Sequence, residues 1–109
     1  MTVSTHILDA SEGRPAAGVA VVLSSLESAG DWLAVESGQT DGDGRRRFEA
    51  AREPGVYRLV FGTGEYFAAR GVAAFYPEVT ITFTVADPGA HYHVPLLLSP
   101  FAYSTYRGS

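Results

Sequence analysis

The 109-residue chain contains no cysteine and no lysine. Without Cys, disulfide cross-links, thiolate metal sites and a thiol nucleophile are all excluded, and a reducing compartment is suited. Without Lys, Schiff-base chemistry and a lysine general base are excluded. All eight basic residues are Arg, and the formal net charge of −4 leaves too little positive charge to track a phosphate backbone, so no nucleic acid partner is expected. No stretch approaches the roughly 18 consecutive apolar residues of a membrane span. The opening MTVSTHILDA lacks the basic-then-apolar pattern of a secretory signal. A cytoplasmic protein with no membrane contact is the expectation. Charge is sparse at 18 % against 46 % hydrophobic residues, which reads as globular rather than disordered. The length suits one domain over residues 1–109, and folding at this size buries about two-thirds of the unfolded chain's surface.

What is present is a series of short strands separated by turns. Val3, Thr5 and Ile7 alternate with Ser4, His6 and Leu8, the period of a half-buried strand. Ser11 to Gly18 is turn chemistry, and Val19 to Leu23 is a β-branched run fit for a buried strand. Trp32 to Glu36 follows, then a segment with two Asp-Gly pairs, Asp41-Gly42 and Asp43-Gly44, suited to a tight reversal. Arg45 to Glu49 and Gly55 to Phe61 read as strands, the second with Tyr57, Leu59 and Phe61 on one face. Thr63 to Arg70 is the one plausible helix, about two turns long. Val79 to Val85 alternates apolar residues with Thr, and Asp87-Pro88-Gly89 turns the chain into a strand from His91 to Ser99. After Pro100, Phe101 to Tyr106 can form a last strand. Eight short strands and one short helix point to an all-β sandwich.

Three His are present, two of them in His91-Tyr92-His93. Residues two apart in a strand point the same way, so His91 and His93 share a face with Pro95, Leu97 and Ser99. Tyr92, Val94, Leu96 and Leu98 take the more apolar face, which suits the core. From spacing alone a solvated pair comes first, a catalytic role second, and half a zinc site third. His6 also sits opposite its strand's apolar face. Arg45-Arg46-Arg47 reads as a solvated strand start, or as one guanidinium gripping a planar, oxygen-rich anion; spacing does not say which Arg. The chain ends in Tyr103-Ser104-Thr105-Tyr106-Arg107-Gly108-Ser109, and aromatic residues so near an end argue that it packs against something. A docked terminus would bring an α-carboxylate with it.

Read in order, these segments resemble the transthyretin-like 5-hydroxyisourate hydrolases. The match lies in Ser4-Thr5-His6-Ile7-Leu8-Asp9, in Thr40 to Arg45, and in Phe75-Tyr76-Pro77. It continues through His91 to Pro100 and closes on Tyr106-Arg107-Gly108-Ser109. The resemblance implies a sandwich of two four-stranded sheets with one short helix, assembled as a homotetramer with sites in a channel between dimers. It implies catalytic roles for His6, Arg45, His93 and Ser109, and substrate binding by His6, Arg45 and Tyr106. It selects Arg45 over Arg46 and Arg47, and His93 over His91. No metal and no cofactor are implied.

The activity implied is hydrolysis of 5-hydroxyisourate to 2-oxo-4-hydroxy-4-carboxy-5-ureidoimidazoline in urate degradation, by attack of water on a ring carbonyl. That reaction needs a base, a donor for the developing oxyanion, and a grip on the flat substrate. His6 and His93 would share water activation and proton delivery, with Arg45 on the substrate oxygens. No Ser–His pair at motif spacing suggests a covalent serine intermediate. Two rival readings use the same fold without chemistry: a carrier of a small aromatic ligand, and an extracellular structural sandwich module.

Overall fold

A computed structural model describes residues 2–51, 53–87 and 89–109. The chain forms β1 (Thr2–Asp9), β2 (Arg14–Pro15), β3 (Ala20–Leu26), β4 (Trp32–Gln39), β5 (Arg45–Phe48) and β6 (Gly55–Phe61). Helix α1 (Thr63–Ala68) follows, then β7 (Val79–Val85), β8 (His91–Leu98) and β9 (Tyr103–Thr105). The second sheet runs β4-β3-β6-β7. The first runs β2-β1-β8-β9, with β5 also paired to β1. The expected sandwich is therefore present, with sheets of five and four strands rather than four and four. The added strand is β2, two residues of the segment read as a turn. It pairs Leu8 with Pro15 and Asp9 with Arg14, and shares one edge of β1 with β5, which pairs residues 3 to 6.

The alternation read from the sequence is the burial pattern. On β1, Val3, Thr5, Ile7 and Asp9 are buried, while Ser4, His6 and Leu8 are half-exposed. On β8, Tyr92, Val94, Leu96 and Leu98 turn inward. They meet Val21, Leu23, Leu59, Phe61, Val79 and Val85 of the facing sheet. Burying each of these large apolar side chains stabilises the fold by about 1.5–3 kcal/mol, and the sum holds the two layers together.

The helix is shorter than the reading Thr63 to Arg70. Gly71 adopts φ 69°, the Gly71 amide donates to the Ala68 carbonyl, and the Val72 amide donates to that of Phe67. This left-handed closure ends the helix because only glycine takes that backbone conformation without steric cost. β9 is likewise three residues instead of six, and β4 runs on to Gln39, with Val35 as an extra residue opposite the step from Leu23 to Ser24. Pro88 of the turn before β8 lies outside the described residues.

Candidate active site

Strand register brings distant polar residues together on the outer face of the first sheet. β1 and β8 run parallel, with Thr2 opposite His91, Ser4 opposite His93 and His6 opposite Pro95. On its other edge β1 pairs antiparallel with β5, setting His6 opposite Arg45 and Ser4 opposite Arg47. Because side chains alternate across a strand, Ser4, His6, His91, His93, Arg45 and Arg47 share one face. Arg46 turns the other way, with its guanidinium 5.1 Å from the Phe48 ring centroid and 3.4 Å from a Glu36 carboxylate oxygen.

Gly44 sets the β5 pairing. Its φ is 75°, its carbonyl accepts from the Ile7 amide at 2.8 Å, and a Cβ there would lie 2.5 Å from the Ile7 carbonyl oxygen. Any larger residue would push β5 away from β1 and separate Arg45 from His6. Asp41 braces the same turn, accepting from the Asp43 and Arg45 amides at 2.9 and 3.0 Å. Those donors, chiefly the Arg45 amide, together with the charges of Arg45 and His6, hold its carboxyl below the usual carboxylate value.

The result is a cleft of about 400 Å³ whose walls include His6, Arg45, Arg47, His91, His93 and Ser109. Ser109 reaches it because the Gly108 amide donates to the His93 carbonyl at 2.9 Å. A Cβ on Gly108 would collide with the His93 ring, so glycine is required for that close pass. Arg47 is paired at 3.4 Å with Glu49, whereas Arg45 has no ion-pair partner among the described residues. Arg45 therefore has its donor fork available to a ligand.

Four of the five expected site residues, His6, Arg45, His93 and Ser109, thus meet in one cleft. Tyr106 does not line it. Its ring, 59 % exposed, borders a neighbouring apolar pocket of about 320 Å³ with Ile81, Phe83 and Thr105, and His93 is the residue common to both spaces. Ser4 and His91, neither with an assigned role, also line the cleft. Ser4 Oγ lies 2.8 Å from His93 Nδ1 and 2.9 Å from His91 Nε2, and Thr2 Oγ1 hydrogen-bonds His91 Nδ1. A Ser–His contact therefore exists, between strands whose sequence spacing hides it. Both ring nitrogens of His91 are engaged by hydroxyls, which leaves none to ligate a metal with His93. Among the described residues no group of three or more His, Cys, Asp or Glu is arranged to hold a metal ion.

The electrostatics favour a neutral His93. Desolvation by burial lowers its pKa below the ordinary 6.5, the charges of His91 and His6 add to this, and hydrogen bonding to Ser4 opposes it. A neutral imidazole at physiological pH is available to accept a proton.

The profile of the HIUase/Transthyretin family matches residues 3–108. The chain belongs to that family. It is 48 % identical over 109 residues to a 5-hydroxyisourate hydrolase of Salmonella typhimurium, covering 97 % of this chain and 79 % of that protein. The solved structure of a Klebsiella pneumoniae 5-hydroxyisourate hydrolase superposes with a TM-score of 0.85 at 41 % identity, over 100 % of both chains. Sea bream transthyretin in complex with thyroxine gives a TM-score of 0.90 at 34 % identity, over 97 % of this chain and 93 % of that one. The sandwich is therefore the transthyretin-like fold, shared within this family by proteins whose names describe a hydrolase and a thyroxine complex.

Proposed function

We propose that this member of the HIUase/Transthyretin family is a 5-hydroxyisourate hydrolase, opening the substrate's six-membered ring by attack of water in the cleft of His6, Arg45, His93 and Ser109. The observation that carries the reading is the convergence of two imidazoles and an unpaired guanidinium on one outer sheet face. A carrier of an aromatic ligand has no use for that set. The chain's similarity to curated hydrolases over nearly its whole length supports the same reading.

In the mechanism, the Arg45 fork grips substrate oxygens and steadies negative charge as the carbonyl carbon becomes tetrahedral. His6 and His93 divide the proton work, one taking a proton from water and the other supplying one to the leaving ring nitrogen. Ser109 positions water or substrate from the end of the cleft. Tyr106 contacts the substrate from the apolar side of His93. No metal or organic cofactor enters the scheme, because neutral imidazole suffices as the base.

The chain acts as a single domain and assembles as a homotetramer in the cytoplasm. Exposed aromatic side chains support assembly: Phe75 is 71 % and Phe101 68 % exposed, and such apolar surface is costly on a monomer. Among the described residues the outer edges of β7 and β9 are unpaired, and edge strands of this kind invite pairing with a second copy. Sedimentation at micromolar concentration is expected to give a tetramer; a monomer contradicts the assembly. The activity is tested by ultraviolet decay of freshly prepared 5-hydroxyisourate, with and without protein, before and after chelator treatment. Acceleration that survives the chelator is expected. No acceleration overturns the hydrolase reading and favours a carrier, whereas loss restored by added zinc overturns the metal-free scheme.

A further inference from the structure

Four side chains on the outer face of the first sheet form a continuous hydrogen-bonded line: Thr2, His91, Ser4 and His93. The line follows from the parallel register of β1 and β8, which staggers two hydroxyls between two imidazoles. The His91 and His93 rings lie nearly parallel, 17° apart with centroids separated by 6.4 Å, and Ser4 Oγ bridges them. His93 Nε2 makes no hydrogen bond to any of the described residues.

We propose that Thr2, His91 and Ser4 form a proton relay that holds His93 in its Nδ1–H tautomer and carries positive charge away from it during turnover. The proposal rests on the hydrolase reading for its catalytic consequence, but not for its effect on the tautomer. Ser4 and His91 are positioning residues in this scheme, acting through His93.

A serine hydroxyl has one hydrogen to donate, so when it bridges two neutral imidazoles, it donates to one and accepts from the other. In one order His93 Nδ1–H donates to Ser4 Oγ, Ser4 donates to His91 Nε2, and His91 Nδ1–H donates to Thr2 Oγ1. That order leaves His93 Nε2 bare, the state a base requires. The reverse order leaves Nε2 protonated. Arg45 and Arg47 make the β5 side of the cleft cationic, and a bare nitrogen is favoured over an N–H beside such charge. Which ring nitrogen carries the proton is set by the partner of the other nitrogen, here Ser4.

When His93 Nε2 accepts a proton from water, the ring becomes an imidazolium. The Nδ1 proton then passes to Ser4 Oγ as the Ser4 proton passes to His91 Nε2. Bonds made and broken balance, and the net result is one positive charge moved from His93 to His91. His91 is exposed whereas His93 is half-buried, so the charge is better solvated after the move. His93 is left neutral with a proton on Nε2, ready to deliver it to the leaving nitrogen as the relay reverses. The charged and titratable groups around His93 are His91 on its own strand, His6 on β1, Arg45 and Arg47 on β5, Asp41 before it, and Tyr106, Arg107 and Ser109 of the terminal segment. Arg107 also lies over the Tyr92 ring, 4.9 Å from its centroid.

The test has two arms using the full chain, with thermal melts confirming that each variant folds. In the first, histidine side-chain ¹⁵N shifts report the His93 tautomer without substrate. Nδ1–H is expected to dominate in the wild type and in Ser4→Thr, and Nε2–H in Ser4→Ala. An Nε2–H ring in the wild type, or no response to Ser4→Ala, overturns the relay. In the second arm, decay of 5-hydroxyisourate is followed at pH 8. Ser4→Ala is expected to lower kcat by about ten- to a hundredfold with KM within about twofold, and Ser4→Thr to recover most of the loss. His91→Gln, which accepts from Ser4 but cannot take up a proton, should fall between them. Unchanged kcat in Ser4→Ala, or a loss that Ser4→Thr does not recover, overturns the relay. A wild-type chain that fails to accelerate decay overturns the hydrolase reading instead, while the nitrogen shifts still decide the tautomer.

Discussion

The two faces of β1 carry polar groups in opposite circumstances. On the inner face Asp9, 1 % exposed, has both carboxylate oxygens occupied. One accepts from the Ser11 hydroxyl and the Ser11 and Glu12 amides, the other from the Tyr66 hydroxyl at 2.8 Å. Burial pushes its pKa up, but these hydrogen bonds outweigh burial and hold the carboxyl below its ordinary value. Desolvation, with the same contact, raises the Tyr66 hydroxyl to about 12. On the outer face Ser4 bridges two imidazoles, while the Arg45 guanidinium and one nitrogen of His93 have no partner among the described residues. The inner network is saturated and stabilises the fold. The outer one keeps open donors and acceptors, and a ligand is what completes it.

This contrast is broken most directly at the outer face, where large activity losses should leave stability nearly untouched. Replacing His6 or His93 with Ala should reduce turnover of 5-hydroxyisourate by about 10²–10⁴-fold, on the order of 3–5 kcal/mol of transition-state stabilisation. Arg45→Lys should fail nearly as badly as Arg45→Ala, since an ammonium does not reproduce the planar fork. The melting temperature of each should stay near that of wild type; a variant that melts early while retaining turnover would reverse the assignment of the two faces. Deleting Gly108 and Ser109 should cost less, about tenfold or more in kcat, with the assembly unchanged in sedimentation.

The inner face should answer in the opposite currency. Tyr66→Phe leaves a buried carboxylate oxygen of Asp9 without its donor, and should destabilise the fold by about 1.5–3 kcal/mol in urea titration. Turnover at 25 °C should stay within about twofold of wild type, because Tyr66 faces away from the cleft; a large loss of kcat would show that the faces are coupled.

The smallest expected effects are shifts along the pH axis. Asp9 has a folded pKa below its unfolded value of about 3.9, so the unfolded state binds more protons there. Its contribution is complete above that value and is lost as pH falls through the folded pKa. In Tyr66→Phe the folded Asp9 pKa moves up toward the unfolded value, so the acid-dependent loss of stability should be smaller and complete at a higher pH than in wild type. For His93 the depressed pKa means that the free base persists below pH 6.5. The acid limb of kcat/KM should therefore lie below 6.5, and a limb above that value would place another group in control.

Much of this molecule was legible in local pattern. β7 spans the residues that alternation marks out, Val79–Val85, and the inward and outward sides of β1 and β8 follow from two-residue periodicity. That periodicity is enough to put His6, His91 and His93 on outer faces, because each strand has only one apolar side to bury. The resemblance of ordered motifs then selected Arg45 and His93. Other features depend on contacts that no local window contains. β2 exists only because β5 leaves the far half of one β1 edge unpaired, and α1 stops early because Gly71 closes it. Tyr106 lies just past the end of β9 and borders a separate pocket.

By itself, then, the order of residues determined the strands, their buried sides and the chemical types available, since these rest on spacing and side-chain chemistry. Only the tertiary structure decided the pairings. Parallel alignment of residues 2–9 with residues 91–98 set Ser4 between His91 and His93, and the reversal at Gly44 set Arg45 against His6. A shift of one residue in either register would send half of these side chains into the core. Register across so long a stretch of chain is chosen by packing the whole sandwich, which no short segment encodes.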